Sequence, residues 1–211
     1  MKHRKAAVTL AFLIFGTQSA MAGSFSFTGN FNQDDDVKFF NFSIAAPGTT
    51  TLQTLSFFGG VNAAGDTITN GGFVPFLHLW DSAGTDLGGV EPSTGDAVYT
   101  TVLTSAGSYI VALTENDNKA FGDLPGGIMD VAQFDHFGQG NFTGPEFNPP
   151  SIAAFFAPDG SQRTSAWALD IKFVDSAQAA GAVPEPGTLA LAVAGLAAFR
   201  PFARHRQASR H

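Results

Sequence analysis

The chain has 211 residues, a formal net charge of −7 and no cysteine, so neither a disulfide framework nor a cysteine nucleophile is available to it. All 18 acidic residues lie between Asp34 and Glu185, where the cations are Lys38, Lys119, Arg163 and Lys172; 18 negative charges against four positive leave that body near −14. Phosphate contacts need clustered Lys and Arg, so nucleic acid and anionic lipid are poor partners, and a cation or a neutral polymer suits the surface better.

At the N-terminus Lys2, Arg4 and Lys5 precede an apolar run over residues 6–16. Ser19-Ala20-Met21-Ala22 then offers small residues, Ala20 and Ala22, at the positions signal peptidase reads. Residues 1–22 are therefore expected to be a secretory signal peptide, cut after Ala22.

Residues 23–176, about 150 in all, are one domain's worth and long enough to bury a core. Phenylalanine dominates the aromatics, 22 against two Trp and two Tyr, and it is scattered with Thr, Ser, Asn and Gly in short segments that favour strands. Residues 24–28 alternate, with Phe25 and Phe27 on one face. Residues 38–44 place Phe40, Phe42 and Ile44 together before a turn at Ala46-Pro47-Gly48, and 49–58 alternate less perfectly. Residues 76–80 form a compact strand that runs into a turn at 81–85. Strands at 97–103 and 108–113 bracket Ser105-Ala106-Gly107, a three-residue hairpin signal. Residues 115–158 carry little periodicity, and 167–174 close the body with strict alternation. No window longer than about ten residues carries a helical face. The pattern predicts an all-β fold, an antiparallel β-sandwich of jelly-roll type.

The remaining chain divides into a linker at 177–187, an uncharged apolar segment at 188–199, expected to form a short hydrophobic helix, and a basic tail at 200–211 with Arg200, Arg204 and Arg206. This is the layout of a segment held in a membrane with its basic end inside. Pro184-Glu185-Pro186, the apolar run and the arginines together resemble the PEP-CTERM sorting signal of Gram-negative bacteria. The resemblance implies a membrane-embedded exosortase that recognises Pro184-Glu185-Pro186, cleaves nearby, and delivers the protein to the cell surface or the exopolysaccharide matrix. A self-sufficient spanning helix needs roughly 20 apolar residues, more than this segment holds, so transient inner-membrane retention is expected rather than a permanent anchor.

The order of an Asp-rich loop, a Phe-x-Phe strand, a Pro-Gly turn, a Thr-rich strand, Leu77-His78-Leu79-Trp80-Asp81, and then Ala106-Gly107-Ser108-Tyr109-Ile110-Val111 resembles bacterial pre-peptidase C-terminal domains. These are small secreted β-sandwiches, and the resemblance implies calcium binding at acidic loops. Three adjacent carboxylates at Asp34-Asp35-Asp36 repel one another unless solvated or neutralised, and Ca²⁺ takes six to eight hard oxygens. Asp34 and Asp36 are the first candidate ligands, Asp81 and Asp117 the next. The alternative is a charged turn that stays in water and discourages aggregation at strand ends.

Catalytic signals are sparse. The body holds His78 and His136; strand alternation turns His78 away from its leucine neighbours, and Asp135-His136 would point in opposite directions on an extended chain. Neither a Gly-x-Ser-x-Gly elbow nor a His-Glu-x-x-His zinc motif is present. The long loop's phenylalanines, among them Phe134 and Phe155, are expected to pack it onto the sandwich as a satellite cluster. The sequence thus points to an exported, non-catalytic, adhesive surface or matrix protein, with calcium and exopolysaccharide as candidate partners. A secreted polysaccharide hydrolase, with carboxylates brought together by the fold, is the alternative.

Overall fold

The computed structural model describes residues 22–143 and 155–181. Residues 1–21 of the expected signal peptide, Ala20 among them, and the 188–199 segment and basic tail lie outside the described residues. Eleven strands follow in order: β1 (Gly23–Asn30), β2 (Lys38–Ile44), β3 (Gly48–Thr54), β4 (Gly60–Val61), β5 (Thr67–Ile68), β6 (Pro75–Asp81), β7 (Asp86–Val90), β8 (Val98–Leu103), β9 (Gly107–Glu115), β10 (Ala166–Val174) and β11 (Ser176–Ala179). Helical structure in this region is limited to two single 3-10 turns at Pro125–Gly127 and Val131–Gln133.

Antiparallel pairing sorts the strands into a four-stranded sheet, β1-β10-β3-β8, and a five-stranded sheet, β11-β2-β9-β6-β7, with β4 and β5 as a separate hairpin. The first and last long strands of the body lie side by side, Phe27 opposite Leu169 and Phe25 opposite Ile171, so their alternating apolar residues share one face. Leu52, Trp167, Leu169 and Ile171 from this sheet meet Phe40, Phe42, Leu77, Leu79, Val111 and Leu113 from the other in a single core. Fully burying a side chain of this kind contributes about 1.5–3 kcal/mol, which offsets the ordering cost of a body without disulfides. β11 extends the five-stranded sheet past the expected boundary, pairing Ala177 with Phe42, so the folded body includes the first residues assigned to the linker.

Part of the second face of the five-stranded sheet is buried as well. Phe39, Trp80, Ile110 and Ala112 point away from the main core and are covered by Leu124 and Phe134 of the long loop. The Trp80 Nε1–H donates to the Gly122 carbonyl at 2.7 Å. At the turn after β6, Leu124 N donates to Gly84 O at 2.7 Å. Gly84 takes φ +87°, and a Cβ there would lie 1.8 Å from Leu124 O, so the two turns can meet only without a side chain. His78, turned away from its leucine neighbours, therefore does not face water. It is buried, stacked on Trp80 at 4.3 Å, with Nε2 2.7 Å from Asp86 Oδ1. The side opposite the leucines is a second core.

Candidate functional site

The acidic loop before β2 is a set of backbone acceptors. Asp34 is fully buried; its Oδ1 accepts from Phe155 N at 2.9 Å, and its Oδ2 accepts from Thr143 N at 2.9 Å and from the Thr143 hydroxyl. Asp35 Oδ2 accepts from Gly140 N at 2.9 Å. Asp36 turns back on its own loop and accepts from Asn32 N at 2.5 Å and Gln33 N at 3.2 Å. Orphan amides of an irregular loop must find acceptors somewhere, and these adjacent carboxylates supply them in three directions.

The other two expected ligands lie in other turns, Asp81 after β6 and Asp117 after β9. Asp81 closes the turn after β6, accepting from Ala83 N and Thr85 N at 2.9 Å each. The hydrogen bond from the Thr85 backbone, followed by smaller ones within the turn, holds its carboxyl below the ordinary range. Asp117 is exposed, adopts φ 67°, and sits 3.7 Å from Lys119 Nζ. Among the described residues no three of His, Asp and Glu are grouped so as to hold a metal ion.

Between the end of β9 and the long loop lies a cleft of about 540 Å³, its wall including Glu115, Asn116, Asp117, Asp135, His136 and Phe142. Glu115 is 1% exposed, and its Oε2 finds no hydrogen-bond partner. Burial, reinforced by the negative charges of Asp34, Asp117 and Glu91, pushes its carboxyl well above the ordinary range. The neighbouring Asn116 Oδ1 is also buried and unpaired. Lys119 lines the cleft as well, its ammonium 2.9 Å from Glu91 and 3.7 Å from Asp117.

Asn118 ties the cleft to the acidic loop. Fully buried, it donates from Nδ2 to Asp35 O at 3.1 Å and accepts on Oδ1 from His136 N at 3.2 Å. The His136 ring lies flat on Phe142, 3.7 Å between centroids and 4° from parallel. Asp135 and His136 both line the cleft, because the chain turns at these positions and strand alternation does not apply. Chemically the cleft offers a buried carboxyl of raised proton affinity, exposed carboxylates and an aromatic wall. In the sequence Glu115 and Asn116 are visible within the short acidic string Glu115-Asn116-Asp117, a second loop that could help the Asp34 loop to cage a cation; nothing there marks the two as buried.

The family model described as the PEP-CTERM protein-sorting motif matches residues 182–207, a span that holds Pro184, Glu185, Pro186, Arg200, Arg204 and Arg206 and lies outside the described residues. The match leaves the β-sandwich body uncovered. No curated protein matches the chain. Among the described residues no helix is long and apolar enough to cross a membrane. β1 begins at Gly23, the residue after the expected cut at Ala22. The chain therefore joins an all-β antiparallel body to a PEP-CTERM sorting motif, the mark of an exported protein targeted to exosortase.

Proposed function

We propose that the body is a non-catalytic, adhesive module which exosortase processing delivers to the cell surface or the extracellular matrix, where it holds exopolysaccharide. The observation that carries this is the sorting motif at residues 182–207 on a body whose long loop is braced at Asp34, Asp35 and Asn118 to form an open polar cleft. Such bracing is what a binding surface needs if loops are to present side chains without paying their ordering cost again at each encounter. Signal peptidase would act after Ala22, and the 188–199 segment would retain the chain in the inner membrane until cleavage. Fractionation of cells expressing the wild type or Glu185→Ala, with mass measurement of the mature C-terminus, tests the sorting step. The wild type should lose its tail and leave the inner membrane, and the variant should keep both; identical fractions at full length would sink the reading.

A hydrolase is the second reading, favoured by the raised carboxyl of Glu115 beside the cleft's solvated carboxylates. That is the pattern of a general acid paired with an ionised base. Incubation with purified exopolysaccharide separates the two: new reducing ends that vanish in Glu115→Gln mean hydrolysis, and retention without new ends means a matrix module.

A further inference from the structure

The cleft at the end of β9 holds two acceptors to which the fold supplies no donor. Glu115 Oε2 and Asn116 Oδ1 are both buried and accept no hydrogen bond, and both residues line the cleft. Buried oxygens in that state are uncommon, and each carries the cost of its lost hydration. The Glu115 carboxyl sits at the polar end of β9. Besides burial, what acts on it is the Asn116 amide and the charges of Asp34, Asp117 and Glu91.

The rest of the lining decides which ligand can supply the donors. Glu115, Asp117 and Asp135 bring carboxyl groups against one lysine, Lys119, whose ammonium is 2.9 Å from Glu91. That balance repels an anion, and an apolar ligand would leave both oxygens unpaired. Calcium takes six to eight oxygens, and among the described residues no three of His, Asp and Glu are grouped to hold a metal ion. A neutral hydroxyl can donate to either oxygen but leaves the negative charge uncompensated. An ammonium group meets both needs, since it carries three donors, no acceptor and a positive charge. The Phe142 ring, lying flat on His136 at 3.7 Å, adds an aromatic surface of the kind that attracts a cation.

We propose that this cleft binds the primary ammonium group of an amino sugar, a unit of a partly de-N-acetylated polysaccharide, with Glu115 Oε2 and Asn116 Oδ1 as its buried acceptors. The amine is assigned from the cleft itself, whereas its sugar carrier rests on the exopolysaccharide reading above. A volume of about 540 Å³ lies within the ordinary range of small-molecule sites. Binding replaces one positive charge by another: the Glu115 carboxyl gives its proton to solvent and the carboxylate accepts from the ammonium.

Titration calorimetry of the full chain near pH 5.5, where the amine is charged, tests this with hexamers of β-1,4-linked glucosamine, N-acetylglucosamine and glucose. The glucosamine hexamer should bind saturably and the other two at least about tenfold more weakly. Its apparent enthalpy should differ between buffers of different ionisation enthalpy, because a proton is released. Glu115→Gln, which keeps the shape of the side chain, should weaken binding about tenfold or more and remove the buffer dependence, a readout that a merely structural role would not move. Equal binding of all three hexamers, binding of none, or binding undiminished by Glu115→Gln overturns the proposal. A trilysine peptide that binds where the glucosamine hexamer does not would give the cleft to a protein partner and overturn the sugar assignment. Amine binding by a protein that is missorted in cells counts against the sorting reading alone, and correct sorting without amine binding counts against this inference alone.

Discussion

Asp34 and Thr143 stand 109 positions apart, yet the carboxylate of the first accepts both the amide, at 2.9 Å, and the hydroxyl of the second. The same carboxylate takes the Phe155 amide at 2.9 Å. One buried side chain therefore holds two distant points of the long loop against the start of the sandwich. Hydrogen bonds to a charged group contribute more than neutral ones, and removing the acceptor leaves buried donors unpaired. Asp34→Ala is expected to destabilise the protein by about 3 kcal/mol and Asp34→Asn by roughly half that. Urea denaturation followed by tryptophan emission measures both. Equal midpoints for wild type and Asp34→Ala would mean the clip does not hold the loop.

How much of this was legible depends on how many faces each strand buries. β1 and β10 each turn one face to the main core, so Phe25, Phe27, Leu169 and Ile171 stood out by alternation. β6 buries both faces, and a strand of that kind reads as a continuous apolar run with no free side. His78 could not be placed from its neighbours for that reason. The acidic triplet was visible as charge but not as structure. Its partners are amides at Gly140, Thr143 and Phe155, and a backbone donor leaves no mark in a sequence. The sorting motif was legible because an enzyme must recognise it as a local string.

Glu115 should make stability depend on pH in the direction opposite to a salt-bridged carboxylate. Its folded-state affinity for a proton is raised by burial and by Asp34, Asp117 and Glu91. The folded protein therefore binds the proton more tightly than the unfolded chain, so this contribution is complete below the ordinary carboxylate range and is lost as pH rises through the raised folded value. Glu115→Gln keeps the shape and removes the titration. It should leave stability unchanged in acid and raise it by about 1 kcal/mol or more at pH 8. Denaturation midpoints of both proteins between pH 4 and 8 give the comparison; parallel curves would refute the assignment.

Phe134 covers the second core from the long loop, edge-on to Phe39 at 5.9 Å and to Trp80 at 6.4 Å. Phe134→Ala should cost about 3 kcal/mol through lost burial and the cavity left behind. Trp80 would then face water, and tryptophan emission should move to longer wavelength. Trp167, in the other cluster, should be unaffected, so Phe134→Ala combined with Trp167→Phe should show the shift at full amplitude. An unshifted emission would mean that the loop does not cover this face.

Chelation distinguishes a fold held by its own hydrogen bonds from one held by an ion. Asp34 accepts three protein donors, and Asp36 and Asp81 accept local backbone amides, so these loops are held by hydrogen bonds of their own. Thermal unfolding should therefore show the same midpoint, within about 1 °C, in EDTA and in millimolar calcium, since an ion that binds only the native state would raise it by mass action. A rise of several degrees with calcium would assign the ion to the cleft at the end of β9, where Glu115 Oε2 and Asn116 Oδ1 have no donor. Glu115→Gln would then remove the rise while Asp36→Asn would not. That contrast separates a cleft-bound ion from one held by the acidic loop.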